Sequence, residues 1–277
     1  MNTCIVFACS GASYAREALT AAARAKAHMP RQPCVGFADA DGVRVFRESG
    51  LFDESHEIPE PSFSYIDKTR IALPDHYDAA VFLDTDTYMI APVPDIFELL
   101  AQFELVVAHE PTRFSFDASF QHLLDEGAPA AFPEFNTGVF GFRNTPAVMD
   151  FLAAWRSDNR AFEAAGKPAA HDQPAFRTAL WRSGLRFYVL PPEYNFRFPM
   201  PSFIGGFSYV RILHGRGRSR RRLARRLTRQ RTLPRAYVPW HWPFMAVRRR
   251  LRLLRRKFGI TRAGFGTFAR RARSPER

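Results

Sequence analysis

The sequence predicts an α/β fold: a mostly parallel sheet flanked by helices, followed by a basic C-terminal helical extension. Three observations carry this expectation. Brief apolar runs, too short for helices, alternate with amphipathic helical patterns from residue 1 to about 190. The composition, 46% hydrophobic and 24% charged, is ordinary for a chain of 277 residues with a sizeable core. Charge then divides the chain: residues 211–277 hold 23 Lys/Arg and one acid, Glu276, whereas residues 1–210 hold 17 bases against 26 acids.

The elements follow in order. Cys4–Ala8 reads as a buried first strand, Ser10 and Gly11 as a turn, and the alanine-rich stretch to His28 as a helix closed by Pro30 and Pro33. Further strands are expected at Cys34–Ala38, Ala79–Leu83, Leu105–Ala108, Val139–Phe142 and Phe187–Leu190. Asn144 is placed to cap a helix with Pro146 in its first turn, running to Ala165, with Val148, Phe151, Leu152 and Trp155 as its apolar stripe. A second helix opens at His171-Asp172-Gln173-Pro174 and buries Phe176 and Leu180. The composition breaks near 215. An arginine-rich run, 216–231, precedes the aromatic residues Tyr237, Trp240, Trp242 and Phe244, and 246–258 places Val247, Leu251, Leu254 and Phe258 at helical spacing among arginines. Two units are therefore expected, 1–215 and 216–277.

Several classes are set aside. Three cysteines, Cys4, Cys9 and Cys34, with no C-x-x-C pair, suggest neither a disulfide framework nor a zinc site and point to a reducing compartment. The N-terminal apolar stretch lacks the basic flank of a signal peptide, and no run has the length of a membrane span. G-x-G-x-x-G, G-x-x-x-x-G-K-[ST] and G-x-S-x-G are all missing, so the dinucleotide, P-loop and serine-hydrolase templates have no handle.

The chemistry gathers at Val81-Phe82-Leu83-Asp84-Thr85-Asp86, two carboxylates following an apolar strand. Ligands of open α/β sheets bind beside such strand ends, and paired oxygen ligands there suit Mn²⁺ or Mg²⁺ carrying a phosphate group. A chance D-x-D is the alternative. His214, after the run Tyr209–Leu213, is either an imidazole ligand or a turn residue. Asn136-Thr137-Gly138 opens a strand, and Asp172 either serves chemistry or is a helix N-terminal anion. Lys68 and Arg70 fit phosphate neutralisation and a solvated helix face equally.

In order, Leu83-Asp84-Thr85-Asp86, Phe135-Asn136-Thr137-Gly138-Val139, His171-Asp172-Gln173, Leu190-Pro191-Pro192-Glu193-Tyr194-Asn195 and Leu213-His214-Gly215 resemble the motifs of a GT-A (Rossmann-like) nucleotide-sugar glycosyltransferase, most similar to glycosyltransferase family 8. The resemblance covers residues 1 to about 215. It implies a catalytic domain in which Asp84, Asp86 and His214 hold Mn²⁺ (or Mg²⁺) against the donor diphosphate. It further implies that Asn136, Asp172 and Gln173 face the donor sugar, and that Ala8, Ser10, Tyr14, Lys68 and Thr85 join the two aspartates in holding the nucleotide. A UDP-sugar donor, a glycan or lipid-linked acceptor and retention of anomeric configuration are implied with it. One departure stands out: the family's late motif continues to a lysine that clamps the diphosphate, whereas here His214 leads into Gly215-Arg216-Gly217-Arg218, where Arg216 or Arg218 would substitute.

The tail predicts a cytoplasmic chain held peripherally at an anionic membrane surface, since a narrow apolar stripe among arginines and nearby tryptophans is the composition of an interfacial helix. Nucleic acid is the disfavoured partner because it leaves the acidic body unexplained. Two alternatives remain: a sugar nucleotidyltransferase, whose glycine-rich basic loop is replaced here by Cys9-Ser10-Gly11-Ala12-Ser13, and a non-enzymatic binder of anionic polymers.

Overall fold

The structure is a computed structural model that describes residues 1–110, 128–129, 131–164, 172–217, 220–240 and 242. The expected amphipathic stretch 246–258, Phe244, His171 and Arg218 lie outside the described residues.

The chain begins with β1 (Thr3–Cys9), α1 (Ala12–His28), β2 (Cys34–Ala38), α2 (Ala40–Ser49) and β3 (Glu54–Glu57). After a 3₁₀ turn, Tyr65–Arg70, come β4 (Ala79–Leu83), β5 (Thr87–Met89), α3 (Pro94–Leu100), β6 (Leu105–His109) and β7 (Phe135–Arg143). Then follow α4 (Pro146–Ala164), α5 (Gln173–Ser183), β8 (Phe187–Leu190), β9 (Phe196–Arg197), β10 (Ser202–Ile204), β11 (Ile212–His214), α6 (Arg220–Leu227) and β12 (Arg235–Tyr237).

Seven strands form the central sheet in the order β3-β2-β1-β4-β7-β6-β8, and β7 alone runs against its neighbours. The pleat of β1 explains its uninterrupted apolar sequence. Cys4, Val6 and Ala8 point to one face, where Val148, Phe151, Trp155 and Phe176 of α4 and α5 pack; Ile5 and Phe7 point to the other, under Ala21, Ala22 and Ala25 of α1. Alanine on the inner side of α1 lets the helix lie close against the sheet. Cys9 and Cys34 are buried, and burial pushes their thiols up to about 12, which leaves them as packing groups rather than nucleophiles.

Asn144 does not cap α4. Its side-chain amide donates instead to the carbonyls of Leu73, Pro74 and Tyr77, tying two loops together. Nor does the change of composition at 215 coincide with an end of packing: α6 seats Leu223 and Leu227 against Tyr88, Ile90, Phe196 and Leu213, and β12 pairs with β10. Five of the eight residues of α6 are arginine, yet its two leucines, four apart, give it one buried stripe. A three-stranded sheet, β5-β11-β9, joins this layer to the carboxyl edge of the central sheet.

Candidate functional site

Asp84 and Asp86 occupy the turn between β4 and β5. Thr87 shapes that turn by donating from both its backbone N–H and its hydroxyl to the Asp84 carbonyl. β11 pairs antiparallel with β5, setting His214 opposite Thr87, and so brings a residue 130 positions later to the same turn. On the other side β7 leaves its ladder. Val107 faces Phe140 but Ala108 faces Asn136, so Thr137, Gly138 and Val139 bulge outward beside the end of β4.

The bulge explains Gly138. A Cβ there would lie 2.1 Å from Cε1 of His214 and 2.9 Å from Oδ2 of Asp84, so only glycine admits these two side chains. Gly138→Ala is expected to displace His214, lowering Mn²⁺ affinity at least about tenfold while the far-ultraviolet circular dichroism keeps its shape. Undiminished Mn²⁺ binding, read by calorimetry, would show that the close approach serves packing alone.

Hydrogen bonds orient the histidine ring. The backbone N–H of Gly138 donates to Oδ1 of Asn136 at 3.1 Å, which also accepts from Nδ2 of Asn195 at 2.8 Å. Asn195 therefore presents Oδ1 to Nδ1 of His214, also at 2.8 Å, so Nδ1 donates there. Its Nε2 faces Oδ1 of Asp86 at 3.2 Å and Oδ2 of Asp84 at 3.8 Å. Three ligand atoms converge within 4.8 Å of one another, a donor set that suits a divalent cation. A nitrogen beside two carboxylate oxygens suits Mn²⁺ better than Mg²⁺.

Behind this triad lies Lys68. The 3₁₀ turn Tyr65–Arg70 places its ammonium 3.2 Å from Asp84 Oδ1 and 3.2 Å from Asp172 Oδ2, with 5% of the side chain exposed. Burial works against its charge, but Asp172 and Asp84 outweigh burial and hold its pKa above the usual lysine value. Lys68 is thus neither on a solvated face nor open to a ligand. Arg70 pairs with Asp67 at 3.3 Å. Burial raises the Asp84 carboxyl even though Lys68 and His214 pull it down. For Asp86 burial pushes up as well, but His214 and Arg216 outweigh it and hold the carboxyl well below the usual range.

Asp172 stands at the N-cap position of α5 without a side-chain capping bond. Its carboxylate accepts from the Thr137 hydroxyl at 3.0 Å and pairs with Lys68, so it belongs to the site and not to the helix end. Asn136 and Gln173 both donate to Oε2 of the buried Glu110, at 2.9 and 3.2 Å, and Arg197 stands 3.4 Å from the same oxygen. Glu110 and Arg197 escape the sequence reading. The only signal for Glu110 is its place just past the end of a buried strand, and Arg197 has none.

The residues implied to hold the nucleotide line the end of β1. Ala8 is buried there, Ser10 donates to Asp67 at 2.5 Å, and Tyr14 on α1 is half-exposed. Burial raises the Asp67 carboxyl, but bonds from Ser10 and Ser62 outweigh it and hold it low. Thr85 donates at 2.7 Å to Glu17, a further residue absent from the sequence reading. Glu17 receives both Nε and Nη2 of Arg216 at 2.9 and 2.8 Å. The guanidinium lies 5.6 Å from the Tyr14 ring centroid and 4.0 Å from Asp86, with half of its side chain exposed.

No protein-family model and no curated protein sequence matches the chain. Among solved structures, the galactosyltransferase LgtC, in complex with donor and acceptor sugar analogs, superposes with a TM-score of 0.54 at 17% identity, over 86% of this chain and 98% of that one. The chain thus has a GT-A fold.

Proposed function

We propose that the chain is a metal-dependent glycosyltransferase that moves a hexosyl group from a nucleoside-diphosphate sugar, a UDP-sugar first among them, to a glycan or lipid-linked acceptor. The observation that carries this reading is the convergence of Asp84, Asp86 and Nε2 of His214, at the strand edge of a fold shared with a galactosyltransferase. Mn²⁺ held there would neutralise charge developing on the departing diphosphate.

The chain's own groups do the rest. Asp84 and Asp172 share one buried lysine, so a carboxylate charge there is left for a bound cation to balance. Asp172, fixed by Thr137 and Lys68, is placed to stabilise positive charge at the sugar carbon as the glycosidic bond lengthens. Gln173 and Asn136, oriented through Glu110, present polar groups to the sugar hydroxyls. Tyr14, Ser10 and Ala8 line the place of the nucleoside, and Thr85 steadies the aspartate turn through Glu17. Retention of configuration is proposed on the resemblance, and proton NMR of the product decides it.

Arg216 takes the place of the family's diphosphate-clamping lysine. It is the half-exposed cation nearest Asp86 among the ion pairs described there, and its bidentate hold on Glu17 keeps it at the rim. Arg216→Ala is expected to raise the donor KM about tenfold with a smaller change in kcat. An unchanged KM would assign the clamp elsewhere.

The test of the reaction is a turnover screen of purified protein with Mn²⁺ against a panel of nucleotide sugars, scoring released nucleoside diphosphate. Release of pyrophosphate from a nucleoside triphosphate and a sugar phosphate would instead identify a nucleotidyltransferase. The proposal extends to a cytoplasmic enzyme held at an anionic membrane through its basic C-terminus, on the support of the arginine-rich composition beyond 215 and three unpaired cysteines. No helix among the described residues is long and apolar enough to cross a membrane.

A further inference from the structure

We infer that the layer formed by β10, β12 and the turns beside them is the surface that enters an anionic bilayer; the inference rests on the membrane reading above but is carried by different residues from the 246–258 stretch. Backbone pairing brings the parts together. Phe203 of β10 faces Ala236 of β12, the N–H of Phe207 donates to the Arg231 carbonyl at 2.6 Å, and the Gln230 amide donates to the Phe207 carbonyl. Gly206 sits against Thr232 and Pro234, where a Cβ would fall 2.7 Å from the Thr232 carbonyl oxygen.

On this framework large apolar side chains stand in solvent: Phe207 is 71% exposed, Leu233 75% and Phe203 54%, with Val238 and Trp240 exposed just beyond. Phe207 also has φ +56°, a left-handed conformation that bulky residues seldom adopt. The fold thus holds a strained backbone in order to present a phenyl ring outward. Exposure of several large apolar side chains in one layer does not help folding, so the cluster points to something it meets outside the chain.

Charge names the occupant. Residues 194–275 contain no acidic residue, and Arg221, Arg222, Arg225, Arg226, Arg229 and Arg231 are exposed on α6 and the loop that follows it. Arginines beside a phenylalanine and leucine tip match a lipid interface, where guanidinium groups meet phosphate headgroups while apolar side chains reach the acyl boundary. A nucleic acid would use the arginines but has no use for Leu233, which offers no ring to stack on a base. The layer is also rooted in the site. Gly205 N–H donates to Glu193 at 2.6 Å, Tyr237 meets Phe196 edge-on at 5.0 Å, and the next residue, Arg197, reaches Glu110. A sugar carried on a lipid would arrive beside the groups that surround the donor.

The test uses the full chain carrying Phe207→Asn together with Leu233→Ser, since asparagine tolerates φ > 0 and removes only the ring. Partition is measured by sedimentation with phosphatidylcholine vesicles containing or lacking phosphatidylglycerol, at low and moderate salt. The expected result is about tenfold weaker partition onto the anionic vesicles, greatest in the salt-resistant part, with a melting temperature equal to or above the wild type's. Wild-type partition by the variant would overturn the inference and leave binding to the basic tail. A lowered melting temperature with unchanged partition would show that another part of the chain packs on this surface, and would overturn it too. Wild-type protein that ignores anionic vesicles but binds DNA would overturn the membrane reading itself. Donor turnover on a soluble acceptor, equal in wild type and variant, reports the catalytic reading separately.

Discussion

Asp86→Ala or Asp84→Ala is expected to lower transfer about a thousandfold or more, while the protein stays folded. Each substitution deletes one of three ligand atoms that converge within 4.8 Å, and no other described acid or histidine joins that group to replace it. The two variants differ in what they leave behind. Without Asp84, Lys68 keeps Asp172 as its partner; because burial holds the Asp84 carboxyl above its ordinary range, folding already opposes the ionised form and its loss costs little stability. Without Asp86, both His214 and Arg216 lose the carboxylate they hold low, so this variant should melt somewhat earlier. Two measurements check the prediction. Mn²⁺ should raise the melting temperature of the wild type and of neither variant, because only a folded chain with its ligands binds the ion. Chelator should abolish wild-type turnover and leave nothing further to lose in the variants. Full activity of either variant in chelator would remove the metal from the mechanism.

Asp172→Asn is expected to lower kcat about a hundredfold with donor KM within a few-fold of wild type. Asparagine keeps the size of the side chain and an oxygen for the Thr137 hydroxyl, but removes the charge that faces Lys68 and the sugar. A group that acts on charge developing in the transition state shows its loss in kcat, whereas one that only binds the ground state shows it in KM. A residue that merely capped α5 would do neither, and its loss would appear as a lowered melting temperature. The Asp172 carboxylate makes no capping bond, but the variant leaves the buried Lys68 with Asp84 alone, so a lowered melting temperature is expected beside the loss of kcat and it is the kcat that discriminates. Wild-type kcat in this variant would return Asp172 to a structural role.

Six of the seven strands of the central sheet were legible because their physics is local, whereas β3, Glu54–Glu57, is a polar edge strand with no apolar run and was missed. A strand covered on both faces must be apolar at successive positions, so Cys34–Ala38 and Ala79–Leu83 announce themselves. The α4 stripe was equally plain, since helical periodicity records which face is buried. Strands of two or three residues such as β9, β10 and β12 carry no such pattern, and they form only because partners distant in sequence pair with them. The site divides along the same line. Asp84 and Asp86 could be picked out beforehand because two carboxylates closing an apolar strand are unusual, and His214 and Asp172 because motif order singled them out. What each of them touches was decided by tertiary structure alone. Asp172 turned out to face Lys68 rather than its helix, Lys68 to be buried rather than solvated, and Gly138 to be obligatory because a histidine 76 residues away needs its space. Which nitrogen of His214 faces the aspartates depends on a relay through Asn136 and Asn195, and no spacing in one segment records a hydrogen bond made to another. Sequence determines what each segment can bury. Only the packed fold decides which polar groups, once excluded from water, must satisfy one another.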